Sequence, residues 1–377
     1  MFNQDNSMQS QNWMAASVVD VPGTERLPEG VILVPDAEVR SRSNALFTLK
    51  RVSCFFAVLV LAAFVLDAAI TSGLRSIRTS QYGVSNDIMQ GRINADIVIT
   101  GSSRALSHYD PRIVERLTGR TAFNLGRNGS QTDMQLAVFK AYLEHNRAPQ
   151  IVIHNLDAFS FVTTREVYAP AQYVPYLYDV ELYKALEKIN PNTWKSRYVP
   201  LYGYVADDMS MAWMAGLAQH FGWSPRQDFF LGFNPRTAKW TDDFERFRAM
   251  TRDGVTWDIE PAGVQLMNEL AALCQAKGIR LILVYSPEYS EMQKLTKNRE
   301  EVFRHFRELA KHYNLEFWDY SNSKYSENTE YFTNSQHLNA EGAAVFSQDV
   351  AQRLSDSLQA QNNKNSVPQD LSVASLR

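Results

Sequence analysis

One stretch of this chain limits what the rest can be. Residues Val52–Ile70 read VSCFFAVLVLAAFVLDAAI, and Asp67, close to the far end, is the only charge. About 20 apolar residues at a rise of 1.5 Å span a hydrocarbon core of roughly 30 Å. The run predicts a membrane-spanning helix. Two alternatives fit less well. A buried core helix normally carries a polar face, which this run lacks. A cleaved secretory signal lies within the first 15–30 residues, whereas this run begins at Val52. Arg40, Arg42, Lys50 and Arg51 precede the run, and Arg75 and Arg78 follow it. The excess of positive charge before the span predicts a cytoplasmic N-terminus. The remainder, residues 80–377, then lies outside the cytoplasm, in a two-membrane bacterium the periplasm. Asp67 at such depth either faces a partner or snorkels to the interface, and its place near the end favours the latter.

Residues 1–45 and 360–377 are polar with little periodicity and read as disordered tails, the first of them cytoplasmic. The net charge of −3 gives no basic surplus of the kind that nucleic-acid coating requires. The two cysteines, Cys54 within the apolar run and Cys274, form no CxxC pair, disulfide framework or zinc pattern. Cys274 reads as a small buried hydrophobe, and no cofactor or metal is expected.

Between the tails, short apolar runs alternate with helical periodicity. Strands are predicted at Asp96–Thr100, Thr121–Asn124, Gln150–His154, Arg280–Tyr285 and Leu315–Trp318. Helices are predicted over Pro111–Leu117, Thr132–Glu144, Ala262–Lys277, Arg299–Tyr313 and Ala340–Leu358. Asp110 and Pro111 supply an N-cap and a first-turn proline. Phe346, Val350 and Leu354 mark one face of the last helix. Such alternation gives an α/β domain, a parallel sheet flanked by helices in three layers, over residues 80–358. Residues 160–258, rich in Tyr, Trp and Phe, interrupt it as an insertion expected to be mostly helical. Because sites in parallel sheets form at the C-terminal strand ends, the insertion is either a lid or binding wall, or a packing subdomain.

The chemistry-bearing residues fall at those strand ends. Gly101-Ser102-Ser103-Arg104 follows the first strand. Asn124-Leu125-Gly126-Arg127-Asn128-Gly129-Ser130-Gln131 follows the second, with glycines that let backbone N–H groups approach a ligand. Asn334-Ser335-Gln336-His337 stands just before the last helix. His108 and His154 read as structural. A nucleotide-binding protein is disfavoured, since neither GxGxxG nor GxxxxGK[ST] occurs.

In this order the blocks resemble the SGNH/GDSL hydrolases over residues 95–355, the insertion apart. That family has a flavodoxin-like sheet, a Ser nucleophile after strand one, a Gly after strand two, an Asn after strand three, and a D-x-x-H block before the last helix. The resemblance implies Ser103 as nucleophile, Gly129 with the Ser103 N–H as oxyanion donors, and His337 as general base. Ser102 stands where the family often has Asp. Two departures are plain. Asn334 replaces the Asp of the last block, leaving Glu330 or Glu288 as substitute acids, a Ser–His dyad, or an inactive site. Block three has no clear match, with Asn155 or Asp157 open for it.

A membrane anchor with a GSS block further resembles envelope acyl-transfer proteins, such as those of teichoic acid D-alanylation or exopolysaccharide O-acetylation. The expected function is a single-pass, inner-membrane esterase or O-acyltransferase. Its expected partners are an envelope glycan or glycolipid, the membrane, and a membrane-bound acyltransferase. The rival is a degenerate domain that binds glycan or scaffolds an acyltransferase complex.

Overall fold

The computed structural model describes residues 36–206, 211–224, 229–241 and 243–366. Most of the two expected tails falls outside these. The described parts, 36–45 and 360–366, are helical, in α1 (Asp36–Ser76) and in the last helix. Within Asn44–Ser76 of α1, an 18-residue window has a mean hydropathy of 2.5 and is only 6% buried. One long apolar helix of spanning length is thus present, with the side chains of that window mostly bare, consistent with a single-pass anchor. Residues up to Leu59 form one compact unit and residues from Val60 form another.

In chain order the second unit contains α2 (Ser80–Met89), β1 (Ile97–Thr100), α3 (Ser103–His108), α4 (Pro111–Thr118), β2 (Ala122–Asn124), α5 (Thr132–His145) and β3 (Ile151–Leu156). The insertion supplies α6 (Val180–Ile189), α7 (Thr193–Tyr198), α8 (Tyr202–Val205), α9 (Ala212–Gln219) and α10 (Asp243–Met250). Then come α11 (Pro261–Ala276), β4 (Arg280–Tyr285), α12 (Ser290–Leu295), α13 (Arg299–Tyr313), β5 (Glu316–Asp319), β6 (Phe332–Asn334), β7 (His337–Leu338) and α14 (Ala340–Ser366).

The sheet is parallel throughout, in the order β2-β1-β3-β4-β5. Its strands are apolar on both faces because helices cover both. Val98, Val152, Leu281 and Leu283 point to one side and pack with Phe139, Met267, Phe303 and Phe306 of α5, α11 and α13. Their neighbours Ile97, Ile99, Ile153 and Ile282 point to the other and meet Val114, Phe346, Val350 and Leu354 of α4 and α14. This is the two-residue alternation of a pleated strand.

α4 begins as its sequence predicts: Pro111 opens it and the Asp110 side chain accepts from the Arg112 N–H at 3.0 Å. The α/β unit reaches further toward the N-terminus than residue 80. Ile70, Leu74 and Ile77 are buried with Ala171, Tyr204 and Ala212 of the insertion. Asp67 has a partner within the chain, since its Oδ1 accepts the Leu201 N–H at 2.8 Å.

Candidate active site

Strand β1 ends at Thr100, and Gly101 turns the chain with φ at +138°. A Cβ at Gly101 would meet those of Ala105 and Asn155 at 2.9 and 3.0 Å, so only glycine fits this turn. Ser102 then caps α3: its Oγ accepts the Arg104 N–H at 3.2 Å. Ser103 is the first helical residue. This short helix escapes a sequence reading, because six residues carry too little periodicity.

His337 comes from the other end of the chain, on the small antiparallel pair β6–β7 beside the start of α14. Its Nε2 lies 2.8 Å from Ser103 Oγ, and its Nδ1 lies 2.9 Å from Asn334 Oδ1. The backbone N–H groups of Gln336 and His337 also donate to Asn334 Oδ1, at 3.1 and 3.0 Å. Two fixed donors oblige that atom to be the amide oxygen. It can then only accept from His337, so Nδ1 carries the hydrogen and Nε2 turns its lone pair to Ser103. That is the tautomer a general base needs. Glu330 is exposed and its N–H donates to Asn328 Oδ1, the cap of its turn, and Glu288 accepts from the Tyr285 hydroxyl at 2.7 Å. Asn334, and neither glutamate, holds the His337 ring.

Burial pushes His337 down to about 3, and the cations of Arg236 and Arg104 push the same way. The imidazole is neutral across the ordinary pH range, ready to take a proton but poorly stabilised once it has one. Arg104 is buried and its charge is answered: Nη1 lies 3.2 Å from Asp157 Oδ1, and the guanidinium stacks over the Tyr285 ring at 4.7 Å. Among the described residues no ion pair joins Arg236 to a carboxylate within 4.0 Å, and its Nε donates to Ser107 Oγ at 3.4 Å.

His108 is structural, but it serves the site. Its Nδ1 lies 2.9 Å from Ser286 Oγ, and its Nε2 accepts the Leu338 N–H at 3.0 Å, next to His337. His154 is buried with Nδ1 2.9 Å from Thr100 Oγ1, and burial pushes it down to about 4.

The second block lies along the first. The Leu125 N–H donates to Ile99 O at 2.8 Å and the Arg127 N–H to Gly101 O at 3.0 Å. Gly129 has φ +61°, and a Cβ there would sit 2.6 Å from the Tyr168 ring. In the third block both candidate side chains are buried. Asn155 Oδ1 accepts from the Tyr109 hydroxyl at 2.8 Å and its Nδ2 donates to Leu156 O at 3.2 Å. Asp157 is committed to Arg104 and to Ser102, and burial pushes its carboxyl up while Arg104 pulls it back. Asp157 is an acceptor held by Arg104, whereas the Asn155 amide has a second N–H beyond the one given to Leu156 O. Arg104 and Arg236 are the site residues that a reading by motif misses, because the family pattern assigns them no block.

A cleft of about 490 Å³ runs over α3, lined among others by Leu106, Asn128, Tyr168, Met211, Ala212 and Arg236. The insertion therefore supplies much of its wall.

No protein-family model matches the chain, and no curated protein does. Among solved structures, a protein described as lipolytic and of the G-D-S-L family, from Desulfitobacterium hafniense, is 11% identical with a TM-score of 0.34; the match covers 68% of this chain and 97% of that one. One described as an SGNH hydrolase, from Slackia heliotrinireducens, is 10% identical with a TM-score of 0.36, over 70% of this chain and 100% of that one. A GDSL-like lipase from Bacteroides thetaiotaomicron is 11% identical with a TM-score of 0.31, over 68% and 88%. The order of the sheet and the meeting of Ser103 with His337 are this chain's own features. The fold is of the α/β class, a five-stranded parallel sheet with helices on both faces.

Proposed function

We propose that this protein is a membrane-anchored, extracytoplasmic SGNH-like esterase or O-acyltransferase acting on a cell-envelope polysaccharide or glycolipid. The observation that carries the reading is the 2.8 Å approach of Ser103 Oγ to His337 Nε2, with the ring tautomer set by Asn334. In this reading Ser103 Oγ attacks the ester carbonyl while His337 Nε2 takes its proton. The N–H groups of Ser103 and Gly129 face the oxyanion. The leaving alcohol departs with the proton from His337, and the acyl group stays on Ser103. Water or a sugar hydroxyl then attacks the acyl-serine while His337 Nε2 takes its proton; the C–O bond to Ser103 breaks and His337 returns that proton to Ser103 Oγ. Water yields the free acid, and a sugar hydroxyl yields the new ester.

The test uses the full chain in detergent with p-nitrophenyl acetate. Wild type is expected to hydrolyse it, and Ser103→Ala and His337→Ala each to lower the rate by about 10³-fold or more. Equal rates for all three proteins would rule out the Ser–His assignment. The rival, a catalytically degenerate domain that binds glycan or scaffolds an acyltransferase complex, is favoured by one observation: Asn334 supplies no charge to the imidazolium.

A further inference from the structure

The insertion grips the end of the apolar helix. Helix α9 lies against α1 with backbones in contact, since a Cβ on Gly73 would meet Gly216 O at 1.9 Å and one on Gly216 would meet Ile70 O at 2.5 Å. His220 Nε2 bonds Ala69 O at 2.9 Å, and the Tyr204 hydroxyl lies 2.7 Å from Thr71 Oγ1. Arg75 Nε donates to Pro175 O at 2.9 Å. All of these contacts fall on residues 69–77, where the apolar run gives way to polar sequence.

The outer side of the same helix is bare and apolar. Ala212 and Gly216 are buried toward α1, while Trp213 and Met214 are exposed. In the turn that follows, Phe221 is 87% exposed and Trp223 59%. Single exposed hydrophobes are ordinary. Four large ones within twelve residues, beside the end of a spanning helix, are not, because each leaves water-ordering surface that a soluble fold would cover. Tryptophan suits the headgroup layer, where an apolar ring and a polar N–H both find partners.

We propose that α9 and the turn after it, Ala212–Trp223, dock into the bilayer interface beside the anchor, with Trp213, Met214, Phe221 and Trp223 at headgroup depth. The occupant is the lipid surface because the patch is continuous with the end of the span. The inference rests on the reading of α1 as an anchor. Met211, Ala212 and Ala215 also line the cleft that reaches Leu106 and Arg236, so the docked face and that cleft share residues.

The test is nitroxide accessibility in the full chain, reconstituted in phosphatidylcholine–phosphatidylglycerol nanodiscs. Labels are placed by Trp213→Cys, Phe221→Cys, Leu59→Cys and Glu300→Cys in a Cys54→Ala background, with far-UV circular dichroism as the check on folding. Oxygen partitions into lipid and a nickel chelate into water. The labels at positions 213 and 221 are expected to show nickel accessibility severalfold below that at position 300, and oxygen accessibility between those at 59 and 300. Values at 213 and 221 equal to that at 300, with 59 in lipid, overturn the docking and leave the anchor standing. Exclusion of both reagents at 213 and 221 assigns the patch to a second protein and overturns it equally. An aqueous label at 59 removes the anchor and the docking together.

Discussion

At the scale of single residues, Asn334 is the departure on which the proposed reaction turns. In serine proteases an Asp-to-Asn change at this position costs about 10⁴ in rate, largely through the wrong tautomer. Here two backbone N–H groups fix the amide oxygen toward His337, so the tautomer is right and the deficit is electrostatic. Arg236 and Arg104 deepen it by disfavouring the imidazolium. Asn334→Asp is therefore expected to raise p-nitrophenyl acetate turnover roughly 10-fold, as a carboxylate beside the ring stabilises the charged form. The sign of the pH effect follows. The base works when neutral, and in wild type His337 stays neutral down to about 3. The carboxylate raises its pKa, so the acid limb of the pH–rate profile moves to higher pH in the variant. An unmoved limb and an unchanged rate would show that Asn334 does not act through His337. Ser103, His337 and Asn334 were named as candidates on their resemblance to the SGNH/GDSL blocks, and the structure brings the three side chains together. Arg104 and Arg236 were not, because their role depends on which charges the fold brings within reach.

At the scale of elements, β7 is the part that carries the base, and His108 of α3 holds it. Strand β7 has two residues and few bonds of its own, so the Leu338 N–H bond to His108 Nε2 matters out of proportion. His108→Ala leaves that N–H buried without a partner, at about 1–3 kcal/mol, and takes one partner from the Ser286 hydroxyl. The variant is expected to unfold at lower urea and to lose turnover beyond what the unfolded fraction explains, since His337 drifts from Ser103. Urea melts and kcat at a urea-free baseline separate the two effects. A stability loss with kcat intact would reduce His108 to a packing residue. The long elements β4 and α13 lie where their periodicity placed them, at Arg280–Tyr285 and Arg299–Tyr313. The short ones, α3 and β6–β7, had no periodic signal to read and exist because tertiary contacts hold them.

At the scale of the whole molecule, the C-terminal end of α1 belongs to the fold. Ile70, Leu74 and Ile77 are 2%, 0% and 0% exposed. Full burial of such side chains is worth about 1.5–3 kcal/mol each, an upper bound given a compact unfolded chain. Against a net stability of about 5–15 kcal/mol their loss is large. A fragment beginning at residue 80 is expected to melt well below one beginning at residue 67, or not to fold, by differential scanning fluorimetry. Equal melting temperatures would mean that the α1 end contributes nothing to the domain.

What the sequence determined by itself was local and periodic. It specified one apolar span, because length and hydropathy alone decide that, and a parallel α/β domain, because strand and helix periods alternate. It also named the nucleophile and base candidates, through their resemblance to the SGNH/GDSL blocks. The tertiary structure decided what depends on distance between remote residues. It oriented the Asn334 amide, tied Asp157 to Arg104, turned Asn155 to Tyr109, and left Arg236 without an acid. It also joined the insertion to the anchor, since no periodicity in Ala212–Gln219 says which helix its small residues touch.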